Sequence, residues 1–273
     1  MTGPLAQIVT LATFGNDFLF NGRSPGNFYH TNTSFQFCNK VDFRVFRQPF
    51  LFLKKKEVVV AKNPIEWFQY LKNDGCKRLR LFFQGSKDQS IAKDHKLAGL
   101  VGGGGTWLIE AIYDNYSNGW ANRWEVTKKD DPQNKIWTVN YGMTVKKFPS
   151  INLQIDQQKC QEELNETLIA IEAFASKPNL EYWHEQFKNA RIALYAADPE
   201  NSYYNKELIP NDRYSLISRQ LLYAAGTAWV FGAMGSWNDL GFDHKEENDM
   251  YEHLSEVLYE RVNQAIISAV NAY

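Results

Sequence analysis

The stretch EVVVAKNPIEWFQYLKNDGCKRLRLFFQG, residues 57–85, decides the fold of this chain, because it predicts a strand, a helix and a second strand in direct succession. Residues 57–62 form a β-branched run that favours a strand. Residues 76–85 also have the composition of a strand. The succession therefore predicts a β-α-β unit whose helix is short.

The helix of this unit, within residues 63–75, carries signals at both ends. Asn63 suits the N-cap, Pro64 suits the first helical position, and Glu66 can reach back to the cap. Gly75 stands where a left-handed residue is needed to end a helix. These signals make this the clearest helix in the first half of the chain.

Other segments of the first half also predict strands. Val41, Phe43 and Val45 alternate with polar residues, which is the pattern of a half-buried strand. The later segments are separated by NYSNG and DDPQN, whose composition is typical of turns, so we expect an antiparallel meander. The predicted strands are 34–46, 106–114, 123–129 and 135–145.

The second half of the chain predicts helices. Leu164, Leu168 and Ile171 recur at helical spacing, so one face of their segment should be buried. Residues 212–234 are apolar nearly all round, which predicts a buried central helix ended by Gly232 and Gly235. The four predicted helices are 158–175, 179–197, 212–234 and 247–270.

Together these patterns predict an α+β fold, with an N-terminal, mostly antiparallel sheet with one or two helices and then a C-terminal region of about four helices. A composition shift near residues 148–156 divides a β-rich region, 1–150, from a helical region, 151–273. The two regions are either separate domains or halves of a single packed domain, and the sequence leaves both open.

The two regions differ in charge. Residues 1–150 carry 21 Lys and Arg against 12 Asp and Glu, whereas residues 151–273 carry 9 against 19. A split of this size indicates either charged partners or two regions that face and neutralise each other. Both interpretations stay open at this point.

Cysteine usage and hydropathy limit the environment of the protein. The 3 widely spaced cysteines include no CxxC pair and predict reduced thiols rather than disulfides or a zinc site. No uncharged apolar run reaches about 18 residues, so we expect no transmembrane helix. The first residues also lack the features of a signal peptide. We therefore expect a soluble cytoplasmic protein without membrane association.

Four consecutive glycines in GLVGGGGTWLIEA, residues 99–111, raise the question of a phosphate-binding loop. Such loops lead into a helix, and the Walker A loop also carries a lysine after its last glycine. Here a strand-like segment with Trp107 follows, and no lysine does. We therefore expect the glycines to serve the start of a strand, where the backbone takes positive φ or approaches another segment closely.

No motif in the sequence predicts catalysis, a metal or a cofactor. Glu181 and His184 have the i, i+3 spacing of di-iron bundles, but such sites use that motif twice. His244 and His253 lie nine residues apart and fall on opposite sides of one helix. The GxSxG and HExxH signatures are absent from the sequence. We therefore assign no catalytic residue.

Basic segments interleaved with aromatic residues suggest an alternative role. They are KKK at 54–56, KRLR at 77–80, and lysine pairs at 128–129 and 146–147. On a sheet, such residues could stack bases and bind phosphates. Edge-strand lysines that prevent aggregation explain the same clusters.

Two aromatic-rich loops supply the candidate partner-binding residues. In SWNDLGFD, Trp237 is either tucked onto the core, which the usual burial of tryptophan favours, or exposed as an anchor beside acidic residues. In YSNGWANRW, two tryptophans flank an arginine. The candidates are Trp237, Asn238, Asp239, Asp243, Trp120, Arg123 and Trp124.

The leading hypothesis is a non-enzymatic interaction protein that binds a macromolecular partner, preferably a protein, as an immunity or regulatory factor does. It rests on the lack of a catalytic motif, the many Trp and Tyr residues and the divided charge. RNA or single-stranded DNA binding through the basic β-rich half is one alternative. An enzyme whose site is assembled from dispersed residues, such as Glu181 and His184, is another.

Overall fold

The computed structural model describes residues 1–23, 28–47, 56–90, 92–100, 103–150 and 153–273. Its six strands form one sheet in the order β2-β1-β6-β5-β4-β3. β1 and β6 are parallel, and the other neighbouring pairs are antiparallel. The strands are β1 Cys38–Arg47, β2 Lys56–Ala61, β3 Arg78–Gln84, β4 Thr106–Ile112, β5 Ser117–Val126 and β6 Trp137–Phe148.

Most of the helical residues follow the sheet in the chain, so the predicted α+β class and the mostly antiparallel sheet are confirmed. Short 3-10 turns occur at Thr33–Phe35, Pro199–Ser202 and Trp237–Asp239. The α-helices are α1 Gly3–Asn21, α2 Phe28–Thr31, α3 Pro64–Asn73, α4 Asp94–Leu97, α5 Gln157–Phe174, α6 Glu181–Ala193, α7 Leu216–Thr227 and α8 Lys245–Asn271.

The predicted ends of α3 are confirmed. The Asn63 side chain accepts a hydrogen bond from the Glu66 N–H, and the Glu66 carboxylate accepts one from the Asn63 amide at 2.8 Å. The first of these bonds occupies an N–H that the first turn of a helix leaves without a partner, and the second holds the two side chains together. Gly75, just beyond the helix, has a φ of +85°.

The β-α-β prediction is only partly right, because β2 and β3 run in the same direction but lie at opposite edges of the sheet. Helix α3 therefore crosses the sheet instead of joining adjacent strands. The Trp67 ring of α3 stacks on Phe43 of β1 at 4.5 Å and meets Trp120 of β5 edge-on at 5.4 Å. Although β2 and β3 are neighbours in the sequence, nothing in their residues reveals that four other strands lie between them in the sheet.

The sequence patterns did not predict helix α1. Most of its residues are buried, so it has no polar face to give an amphipathic period. It packs on the same face of the sheet as α3, against β3 and β4, and also contacts α8. A left-handed Gly22 ends it, with the Gly22 N–H donating to the Phe18 carbonyl.

The outer edge of β3 is closed by two buried asparagine side chains. The Asn16 amide of α1 accepts from the Leu79 N–H at 2.7 Å and donates to the Leu79 carbonyl at 2.9 Å. The Asn271 amide of α8 makes the same two bonds to Leu81, at 2.7 and 2.9 Å. Each side chain thus replaces one peptide group of a neighbouring strand.

The helical region follows the predicted pattern with one correction. Leu164, Leu168 and Ile171 are buried, as their spacing predicted. The predicted helix 212–234 is too long, because α7 ends at Thr227. The chain leaves the helix there, and the rings of Trp229 and Phe231 pack on Tyr259 of α8.

The buried apolar residues form one cluster that includes both regions of the chain. Ion pairs of Arg23 with Asp212, Lys93 with Glu256 and Lys96 with Glu252 join the basic region to the acidic one. Part of the charge split is therefore internal. A domain boundary at 148–156 stays a prediction.

Replacing Asn271 by alanine should lower the free energy of unfolding by about 2 to 4 kcal/mol, because the Leu81 N–H and carbonyl would stay buried without partners. Urea denaturation followed by circular dichroism measures this change. Asn189→Ala, on the exposed face of α6, is the control and should shift stability by less than about 0.5 kcal/mol. Equal effects of both changes would contradict the role of Asn271 at the sheet edge.

Candidate functional site

Trp237 is fully buried, so the tucked position is the one observed. Its indole Nε1 donates to Ser255 Oγ of α8 at 2.7 Å, and the Tyr251 hydroxyl donates to the Trp237 carbonyl at 2.6 Å. Its ring also meets Trp183 and Phe187 of α6 edge-on. Trp237 therefore holds the segment after α7, residues 228–244, against α6 and α8. Its side chain offers no surface to a partner in this conformation.

The neighbours of Trp237 differ in exposure. Asn238 is half-buried and donates from its amide to the His95 carbonyl of α4 at 2.8 Å, so it ties this segment to α4. Asp239 and Asp243 are exposed. The Asp239 carboxylate also accepts from the Gly235 N–H. The two aspartates remain available to a partner, and their partner-binding role stays a prediction.

The second group of candidates lies on β5. Trp120 is fully buried and contacts Phe43 and Trp67 in the sheet core. Trp124 is half-buried with its ring 5.7 Å from that of Trp137, and Arg123 is exposed and paired with Glu125 at 2.9 Å. Within the described residues, Trp120 and Trp237 share no ring neighbour, so the two predicted groups belong to different parts of the molecule.

The glycine stretch acts as expected at the start of β4. Gly104 and Gly105 have φ values of +74° and +81°. A Cβ on Gly99 would lie 2.0 Å from the Gly232 carbonyl carbon, so two backbone segments meet there without side chains between them. Gly102 lies outside the described residues. The stretch therefore lets the segment after α7 approach α4 closely.

Between α6 and this segment lies an aromatic recess of about 300 Å³. Its rings are Tyr182 and Trp183 of α6 together with Trp229 and Phe231. The indole Nε1 of Trp229 is occupied by the Phe231 carbonyl at 3.0 Å. Polar groups at the recess come from Gln186, Thr227 and Ser236, and Met1, Thr2, Val230 and Gly232 complete its lining.

The exposed apolar residues that line the recess, or that adjoin its lining in the chain or through the Gly99 contact, are here called its rim. Met234, between lining residues Gly232 and Ser236, is 98% exposed, and Tyr182 is 64% exposed. Leu100, which follows the Gly99 contact, is 55% exposed. The sequence-based reasoning missed this rim, because it placed Met234 inside a helix that ends earlier.

Two acidic residues lie close in sequence to the lining of the recess. Glu181 adjoins Tyr182, and Asp239 lies three residues beyond the lining residue Ser236; both are exposed. An apolar recess with acids at its margin can take an apolar side chain from a segment that carries positive charge.

His95 of α4 forms a buried contact that the sequence does not reveal. Its Nε2 lies 3.5 Å from a Glu252 carboxylate oxygen of α8, and Lys96 Nζ lies 2.7 Å from the other oxygen. Burial lowers the pKa of His95 below its ordinary value, and the charge of Lys96 lowers it further, against the opposing effect of Glu252. His95 is therefore neutral at neutral pH and packs α4 against α8.

The residues of the nucleic-acid hypothesis and of the dispersed-enzyme hypothesis do not belong to the aromatic recess. Arg80 of the KRLR segment points to the sheet face opposite α1 and α3, where it pairs with Glu110. Lys54 and Lys55 lie outside the described residues. The His184 ring is bonded to the Glu172 carbonyl, and no group of three metal-binding side chains occurs in the described part of the chain.

No protein-family model matches the chain, and no curated protein or solved structure is significantly similar to it. Among the described helices, none combines the length and the apolar character needed to cross a bilayer. The site is therefore assessed from its own geometry.

Gly99→Ala should destabilise the protein by about 1 to 3 kcal/mol, because its methyl group would collide with the backbone at Gly232. Thermal unfolding measures the loss. Gly241→Ala is the matched control, since a Cβ there meets nothing within 4 Å and its φ is not positive. A Gly99→Ala protein as stable as the Gly241→Ala protein would disprove the close approach.

His95 should make stability depend on pH. Because its pKa in the folded state lies below the ordinary value of 6.5, the unfolded chain takes up a proton more readily. The free energy of unfolding should therefore fall as the pH drops from about 7 to about 5. Urea denaturation across this range should show a shallower fall in His95→Gln than in the wild type, and an unchanged slope in the exposed-site control His253→Gln. Identical slopes in His95→Gln and wild type would refute this assignment.

Proposed function

We propose that this protein is an interaction protein, and that the aromatic recess between α6 and the segment after α7 takes one apolar side chain of a basic segment in a partner protein. An immunity or regulatory factor works by this kind of binding. The observation that carries the proposal is an exposed apolar rim around a concave, ring-lined recess.

The exposed rim residues contribute little to the stability of the fold. Met234 is almost fully exposed, and Tyr182 and Leu100 expose more than half of their surfaces. Methionine adapts its shape to different partners, and tyrosine supplies a large contact area at low entropic cost. A recess of about 300 Å³ has room for a large side chain.

The surrounding structure favours a recess of fixed shape. Trp237 ties one wall to α6 and α8, and the contact of Gly99 with Gly232 ties it to the glycine stretch. A preformed site loses less entropy on binding than a mobile one. This supports binding of a partner segment without refolding of the protein.

The charge near the recess favours a basic partner. Glu181 and Asp239 are exposed and lie one and three residues from lining residues in the chain, and the helical region as a whole is acidic. Complementary charge increases the association rate and rejects acidic competitors. The nucleic-acid alternative has less support at the KRLR segment, because Arg80 is paired with Glu110 and Arg78 donates to the backbone carbonyl of Asn271.

Selection of peptides from a phage-displayed random library on the immobilised full chain tests this function. We expect enriched peptides to place an aromatic residue, leucine or methionine beside Lys or Arg. Their affinity should fall at least about tenfold in Tyr182→Ala and Met234→Ala, since truncated central anchors commonly cost this much. Glu181→Lys should weaken the basic peptides by charge repulsion.

Ile192→Ala is the matched control, because Ile192 lies near the other end of α6 and is 57% exposed. Its affinity for the peptides should equal that of the wild type. No enrichment over the empty support would overturn the proposal. So would enriched peptides that bind Tyr182→Ala and Met234→Ala as tightly as the wild type.

A further inference from the structure

A second cavity, of about 400 Å³, lies where β3 meets the end of α8. Arg78 and Arg80 of β3 both contribute to its lining. They alternate with Leu79 and Leu81, which face the core, so both guanidinium groups lie on the opposite face of the sheet. The cavity shares no lining residue with the aromatic recess.

Arg80 is fixed in place by one carboxylate. Its Nε and Nη2 both donate to the same Glu110 oxygen, at 3.0 and 2.8 Å. The two side chains are nearly buried, so the pair is rigid. The other Glu110 oxygen is buried without a hydrogen-bond partner in the described residues. Glu110 therefore neutralises one of the two cations at the cavity.

Arg78 has no carboxylate partner among the residues that the structure describes. One of its nitrogens donates to the Asn271 carbonyl at the end of α8, and its Nε is buried without an acceptor in the described part of the chain. None of the ion pairs between described residues includes Arg78. Burial lowers the pKa of Arg78, and the nearby Arg80 lowers it further, against the opposing effect of Tyr214. A partly desolvated guanidinium beside a second one is costly unless an anion compensates it.

The other walls of the cavity are fixed and partly apolar. The Asn271 amide is occupied by the Leu81 backbone, and the Gln157 amide donates to Ser218 Oγ at 2.8 Å. Leu153 and Ile155, half-buried, supply apolar surface. Because the neighbouring amides are already occupied, a ligand would be held mainly by the guanidinium groups and by apolar contact.

We infer that this cavity is a binding site for a small organic anion, whose carboxylate or phosphate group lies against Arg78 and Arg80 and whose apolar body contacts Leu153 and Ile155. The guanidinium group matches the geometry of both oxyanions and is always charged. The uncompensated charge of Arg78 provides the affinity, and Arg80, held by Glu110, provides a fixed second donor. The volume of about 400 Å³ suits a small organic molecule.

Isothermal titration calorimetry of the full chain with sodium hexanoate and, separately, with inorganic phosphate tests this site. Hexanoate has a carboxylate and an apolar chain, whereas inorganic phosphate has no apolar part. The comparison therefore distinguishes a carboxylate ligand with an apolar body from a bare phosphate. We expect saturable binding of at least one probe below about 20 mM, and sodium chloride at equal ionic strength should give none.

Arg78→Gln should weaken the binding at least about tenfold, because it removes the charged donor. Thermal unfolding of this variant checks that α8 still docks. Ile155→Trp fills the cavity while keeping both arginines, and it should also abolish binding. Arg191→Gln, which removes an arginine of α6 paired with Glu172, is the control and should bind like the wild type.

Two results would overturn the inference. One is the lack of saturable binding of both probes by the folded wild-type protein. The other is binding that persists unchanged in Ile155→Trp and Arg78→Gln, because the anion would then be held elsewhere.

Discussion

The unpaired edge of β3 is the constraint on which the rest of the molecule depends. A buried sheet edge must find partners for its N–H and carbonyl groups, and here two asparagine amides supply them. Asn16 lies in the first long helix and Asn271 in the last, so the edge binds both to the sheet. The helical bundle is thereby joined to the sheet by directional bonds as well as by apolar packing.

The same junction determines where the two candidate sites lie. The end of α8 that carries Asn271 also forms a wall of the arginine-lined cavity. The middle of α8 holds Trp237 through Ser255 and so supports the wall of the aromatic recess. One helix therefore positions both sites. The arginine-lined cavity offers positive charge, and the aromatic recess offers apolar surface open to solvent.

Local chemistry was predictable from the sequence, whereas long-range placement was not. The capping of α3 and the buried face of α5 follow from neighbours within a few residues, and both are confirmed. Helix α1 was not predicted, because a helix that is buried on nearly all sides has no polar stripe. Helix α7 ends earlier than predicted, because Trp229 and Phe231 pack on α8, which is distant in the sequence. The asparagine amides, 255 positions apart in the chain, and the acceptor for the Trp237 indole carry no sequence signal. The aromatic recess and the Arg78 cavity were missed for the same reason.

The crossing of the sheet by α3 has a consequence for how the chain folds. β2 and β3 lie at opposite edges of the sheet. Of the four strands between them, three, β4, β5 and β6, are synthesised after β3. β6 must enter between β1 and β5, and its parallel pairing with β1 closes a loop of about a hundred residues. Folding should therefore be slow, with high contact order. A nascent chain that ends before β6 would hold the pair β1-β2 and a separate three-stranded sheet β3-β4-β5, whose exposed edges are prone to aggregate.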